Sequence, residues 1–206
     1  MAGGGARRAL LWGALVAALL AILAAALVER LRRPEPPPYL GAVPDFTLVD
    51  HAGRRWTLRD LAGRPWIADF IFTRCADTCP RISERMARLD RELPPEPPLR
   101  LVSFSVDPAN DRPEVLARYA RTYAASPRWS FLTGEPKALY TLIREGFKLG
   151  VEPLPRDVPS PPVPITHSTR FVLIDGRARI RGYYDALDPE AAVRLRRDLK
   201  AVQQGG

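Results

Sequence analysis

The chain has 206 residues, 46% of them hydrophobic, enough for one ordinary domain with its own core plus an appendage. Its formal net charge of +8 comes almost entirely from arginines scattered through both halves. There is no basic stripe interleaved with aromatics, which excludes a nucleic-acid-binding protein as the working reading.

The first element is an uncharged apolar run from Ala9 to Val28, "ALLWGALVAALLAILAAALV". At about 1.5 Å of rise per residue it matches a hydrocarbon core of about 30 Å, so it is expected to be a transmembrane anchor. A cleaved signal peptide is the alternative, but its apolar region is shorter, about 7 to 15 residues. Arg7 and Arg8 precede the run and Arg30, Arg32 and Arg33 follow it, so flanking charge does not orient it. The eight-residue tail before the run lacks an organellar transit pattern, which points to a bacterial cytoplasmic membrane, a single pass, and a domain facing the periplasm or cell exterior. The organisation expected is a tail over 1–8, an anchor over 9–28, a Pro-rich linker over 29–40 and one domain over 41–206.

Within that domain "FTLVD" (46–50) and "RRWTL" (54–58) flank "HAG" as a hairpin. "PWIADFIFT" (65–73) is nearly all apolar, as expected of a central strand covered on both faces. Next come a helical pattern over 78–93, a strand over 99–106, a helix over 113–125, a strand over 129–133 and a helix over 136–147. A loop over 152–164 carries repeated prolines; "STRFVLID" and "ARIRGYYD" then read as a second hairpin, and a last helix covers 189–203. Strands alternating with helices, with two hairpins added, predict an α/β domain: a mixed sheet flanked by helices.

The only two cysteines, Cys75 and Cys79, fall where the central strand hands over to a helix, the end of an α/β sheet at which chemistry is usually placed. Asp77 or Thr78 is expected to cap that helix, and Pro80 fits its first turn. Thiolates at a helix amino end are stabilised by its unpaired N–H groups and dipole, and at i, i+4 spacing two sulfurs can share an ion or close a disulfide. A bridge across three intervening residues would constrain little of the unfolded chain, so a merely structural disulfide is disfavoured. Two soft thiolates suit Cu(I) or Zn(II), while iron–sulfur clusters usually need four cysteines. A third ligand would have to be a histidine. His51 sits in the hairpin turn and reads as a solvated polar residue; His167, in "PITHSTRF", follows the Pro-rich loop and is the candidate.

Taken together, "GAVPDFTLVDHAGRRWTLRDLAGRPW", the C-x-x-x-C-P of "CADTCP", "SFSVDPANDRPEVLARYA", "FLTG" and the late "HSTRFVLIDG" resemble the Sco/SenC family of membrane-anchored copper proteins over about residues 41–203. The resemblance implies a thioredoxin-like fold and copper, Cu(I) with Cu(II) as the alternative, bound by Cys75, Cys79 and His167. It also implies a role in building the dinuclear copper centre of cytochrome c oxidase. The partners implied are the copper-accepting subunit of the oxidase, a copper donor protein or a thioredoxin-like reductant, and the membrane. Two positions depart from the family pattern: Ala76 stands where proline is usual, and Thr166 where an aspartate usually precedes the histidine. A third, Asp69, puts a carboxylate in the apolar central strand, where it resembles the buried acid of true thioredoxins that assists thiol–disulfide exchange. It is expected either to face a polar pocket, to pair with an arginine, or to serve proton transfer, and it raises an extracytoplasmic thiol–disulfide oxidoreductase using Cys75, Cys79 and Asp69 as the alternative function. Asp107 of "SVDP" reads as a turn residue, and Phe72, three before Cys75 where Ser or Thr is required, disfavours a peroxiredoxin.

Overall fold

The computed structural model describes residues 4–32, 37–96, 98–150 and 168–204. The chain divides into two compact units, Met1–Glu35 and Pro36–Gly206. In the first, helix α1 (Gly4–Arg32) contains Leu10–Val28, a stretch long and apolar enough to cross a membrane.

The second unit is built on an eight-stranded mixed sheet. Its strands are β1 (Gly41–Ala42), β2 (Thr47–Asp50), β3 (Arg55–Thr57), β4 (Trp66–Ile71), β5 (Arg100–Ser105), β6 (Trp129–Thr133), β7 (Arg170–Ile174) and β8 (Arg179–Asp185), in the spatial order β1-β8-β7-β4-β5-β6-β2-β3. β4, β5 and β6 run parallel, joined through helices α2 (Thr78–Glu92) and α3 (Pro113–Thr122). β7 pairs antiparallel with β4, and β2 antiparallel with β6. Two hairpins thus flank a parallel centre, as the strand and helix pattern predicts; the two-residue β1 is too short to leave an alternation in the sequence.

Every residue of β4 is buried, which is why the strand reads as a continuous apolar run. Register separates its two faces. Trp66 and Phe70 pack with Phe104 and Phe147, the Phe70–Phe147 ring centroids lying 5.0 Å apart. On the opposite face Asp69 stands beside Ser103, and Ser103 beside Phe131, beneath Tyr119 of α3. α2 turns Cys79, Ile82, Ser83, Met86 and Leu89 inward, the three- and four-residue spacing of an amphipathic helix. Its far end is fixed by Asp90, whose carboxylate receives the Arg128 Nε at 2.7 Å and the Ser126 hydroxyl at 2.8 Å.

The helix expected over 136–147 is α-helical only through Thr141, as α4 (Pro136–Thr141), and widens into a π turn over Leu142–Gly146. Gly146 is required there because a Cβ would come within 2.7 Å of the Pro44 ring. The last helix, α5 (Pro189–Gln204), buries Leu195 and Leu199.

Candidate metal and thiol site

β4 ends at Ile71, α2 begins at Thr78, and the six residues between them belong to neither ladder nor helix. Cys79 lies in the first turn of α2, fully buried, whereas Cys75 precedes the helix and is half-buried. Capping differs from the expected pattern. Asp77 occupies the cap position but its side chain makes no capping hydrogen bond. The sulfur of Cys75 does that work, accepting the backbone N–H of Cys79 at 3.3 Å.

Both cysteines are free thiols, and the site separates their acidities. Cys75 is brought down to about 5, first by the hydrogen bond from the Cys79 thiol and then by the N–H groups of Cys79, Asp77 and Thr78 at the head of α2. Cys79 is pushed up, by that same bond, by burial and by the charge on Cys75. The pair is therefore a half-buried thiolate backed by a buried thiol.

Beneath them lies Asp69, wholly buried on β4. Burial raises it from 3.8 to about 7, partly offset by neighbouring Ser103. Neither of its oxygens has a hydrogen-bond partner among the described residues; the Ser103 hydroxyl accepts from Trp129 Nε1 at 2.8 Å. Of the roles expected for Asp69, pairing with an arginine is not seen among the described residues. Its charge, when present, acts on Cys79 and pushes the thiol up further.

A second buried carboxylate, Asp111, escaped the sequence reading. It accepts the Thr73 N–H at 3.2 Å, the Thr73 hydroxyl at 2.5 Å and the Ser105 hydroxyl at 2.6 Å. Burial raises it to about 6, with the two hydroxyls pulling it back. Asp107 is more than the turn residue expected: it accepts Arg74 Nε at 2.9 Å besides binding Asn110 within its own turn. The signal was present in "SVDPAND", a strand ending in Ser followed by two Asp on one turn, but nothing in the sequence pointed that turn at residues 73 and 74.

His51 is also not a plain solvated residue. It is half-buried, its Nδ1 accepts the Phe131 N–H at 3.3 Å, and burial holds its pKa below the usual value. His167, Thr166 and the 152–164 loop lie outside the described residues. Among the described residues no group of three or more His, Cys, Asp or Glu could hold a metal ion.

A mixed sheet with a C-x-x-x-C pair at the end of its central strand defines a thioredoxin-like dithiol protein. The SCO1/SenC family profile matches residues 38–202, and the chain belongs to that family. It is 43% identical over 94 residues to the SCO1 protein homolog of Bacillus subtilis, a match spanning 45% of this chain and about half (49%) of that relative. A protein of Stutzerimonas stutzeri whose name assigns it copper binding is 33% identical over 147 residues, 70% of each chain. Among solved structures, BsSco superposes with a TM-score of 0.69 at 28% identity, covering 82% of this chain and 98% of that one. BsSco is described as a member of the Sco family of cytochrome c oxidase assembly proteins and as carrying a disulfide switch.

Proposed function

We propose that the chain is a membrane-tethered copper carrier that serves assembly of the dinuclear copper centre of cytochrome c oxidase. The observation that carries this reading is the sulfur pair, a half-exposed thiolate at Cys75 with the Cys79 thiol directly behind it at the head of α2. Two soft sulfur donors suit Cu(I), with Cu(II) the alternative oxidation state, and binding would release the proton that Cys79 holds. The pair lacks a third donor among the described residues, and His167 fills that role by family resemblance. Three donors leave copper open to an incoming sulfur or imidazole from the copper-accepting oxidase subunit, so the cargo can pass by ligand exchange without a free ion. A copper donor protein would load it by the reverse steps.

The membrane side of the proposal rests on α1. Residues 9–28 anchor the chain in a bacterial cytoplasmic membrane by a single pass, residues 29–40 act as a spacer, and residues 41–206 work in the periplasm or at the cell exterior. The relative named for copper binding and the oxidase-assembly family of BsSco support the cargo and the destination.

The test is Cu(I) competition against a chromophoric chelator with the reduced full chain in detergent. Loss of a direct ligand should exceed the 10- to 100-fold typical of losing an outer partner, so His167→Ala is expected to weaken Cu(I) binding by more than about a hundredfold. A parent chain that takes up no copper sinks the carrier reading, and a His167→Ala variant that binds as tightly as the parent removes the third ligand.

A second reading is favoured by one specific observation, the buried Asp69 carboxylate, which has no hydrogen-bond partner among the described residues and whose charge acts on Cys79. In an extracytoplasmic thiol–disulfide oxidoreductase, the Cys75 thiolate attacks a target disulfide to form a mixed disulfide and release one target thiol. Cys79 then gives its proton to Asp69 and displaces the second target thiol, leaving the Cys75–Cys79 disulfide for a thioredoxin-like reductant to reopen. An Asp69→Asn variant that exchanges with a model disulfide as fast as the parent would remove Asp69 from that sequence.

A further inference from the structure

Cys75 belongs to no regular element, so its sulfur is only as well placed as the three residues that lead to it. Phe72 is fully buried, and its carbonyl accepts the Cys75 N–H at 3.2 Å. Thr73 is held by Asp111 through both its N–H and its hydroxyl, and Arg74 is held by Asp107 through Nε and Nη2, each at 2.9 Å. Both carboxylates come from one turn after β5, more than thirty residues on in sequence.

That turn is rigid in its own right. The N–H groups of Asn110 and Asp111 donate to the Asp107 carbonyl, the Asp107 N–H donates to the Ser105 hydroxyl at 3.0 Å, and that hydroxyl donates to Asp111. Asp111 is fully buried and Asp107 is 3% exposed. A turn needing only an Asp for its own geometry keeps it in water, where it costs nothing to desolvate. Here two carboxylates are buried and directed across the sheet end at consecutive residues just before the half-buried Cys75.

We propose that Asp107 and Asp111 are positioning residues that clamp Thr73 and Arg74, and thereby hold the Cys75 sulfur over the amino end of α2. The proposal rests on Cys75 being the working thiol and does not depend on copper. Its consequence is energetic. The clamp is formed around the dithiol, in which the sulfur accepts the Cys79 N–H, so it favours the reduced pair over a disulfide that must draw Cys75 toward Cys79. Loosening the clamp removes that preference and makes the disulfide easier to form.

The experiment measures the dithiol–disulfide equilibrium of the full chain in detergent against a glutathione buffer. Glutathione disulfide takes two electrons from the pair, leaving one Cys75–Cys79 bond and two glutathione thiols; Cys79 supplies one of the two protons and the buffer the other. Asp111→Asn and Thr73→Val are each expected to shift this equilibrium toward the disulfide by about tenfold, a potential about 30 mV more negative, while Thr73→Ser, which keeps the hydroxyl, stays close to the parent. Melting temperature is recorded alongside, because a purely structural contact lowers it without moving the potential. Should Asp111→Asn fail to fold, Thr73→Val decides alone, since it removes one hydroxyl and preserves shape. A Thr73→Val variant with the parent's potential overturns the proposal, as does a Thr73→Ser variant that shifts as far as Thr73→Val. Copper uptake by the same samples is scored separately: a parent that binds none ends the carrier reading and leaves this test standing.

Discussion

Two carboxylates at the same end of the sheet, both wholly buried, are treated in opposite ways. Asp111, in the turn after β5, is surrounded by donors: the Thr73 N–H and hydroxyl, and the Ser105 hydroxyl. Asp69, on β4 beneath Cys79, has no partner for either oxygen among the described residues. Asp50, Asp90, Asp107 and Asp175, the other buried acids among the described residues, are all partnered by arginines. A partnered buried acid is architecture, because its donors would be orphaned without it. One without a partner among the described residues is a standing cost that packing does not explain, and its charge acts on the Cys79 thiol.

The largest expected effect follows from that cost. Asp69 rises from 3.8 to about 7 in the folded chain, so folding favours its protonated form. Its stability contribution is complete below the unfolded value and is lost as pH climbs from about 4 through about 7. The loss is on the order of 4 kcal/mol by pH 8. Denaturant titrations of the parent and Asp69→Asn at pH 4.5 and 8 should therefore converge or cross, with the variant gaining on the parent as pH rises. Parallel curves would mean that the carboxylate is solvated or partnered in solution, and the contrast with Asp111 would be lost.

Next in size is the architectural class. Arg128 holds Asp90, whose side chain is 4% exposed, and also reaches the carbonyls of Leu93 and Pro94. Removing one partner of such a pair leaves a buried charge, and Arg128→Met is expected to cost about 3 kcal/mol by denaturant unfolding. Asp111→Ala should cost about 2 kcal/mol, because it orphans three donors at once, whereas Asp69→Ala at pH 8 should cost less than that or stabilise. An Asp111→Ala variant as stable as the parent would put the two acids in one class.

How much of this was legible beforehand depends on whether the signal was local. β4, α2 and both hairpins declare themselves through apolar runs, three- and four-residue spacing and turn residues, each a property of neighbours in the chain. The same holds for Cys75 and Cys79, whose place after an apolar strand marks them as site candidates in the sequence itself. Asp69 is legible as an anomaly, a charge in a buried strand, but that no arginine pairs with it among the described residues is a fact of packing. Asp111 was missed because its meaning lies across the sheet end, at Thr73, a contact that no periodicity encodes. The π turn over Leu142–Gly146 was hidden for a similar reason: Gly146 fits an ordinary helix pattern until Pro44 is found against it.

The smallest effect sharpens the comparison from the basic side. His51 is half-buried as a neutral ring whose Nδ1 accepts from Phe131, and burial lowers its pKa from 6.5. The sign is opposite to that of Asp69. A depressed histidine leaves the unfolded chain to take up a proton first, so its contribution is complete above about 6.5 and is lost as pH falls below it. Between pH 7 and 5 the parent should thus gain stability through Asp69 while losing a lesser amount through His51. His51→Gln in the Asp69→Asn background is expected to flatten the acid side of the melting-temperature profile relative to Asp69→Asn alone. If the profile keeps the same fall below pH 6.5 with both residues replaced, the titrating groups lie elsewhere, and the acid side cannot be used to weigh the two buried carboxylates.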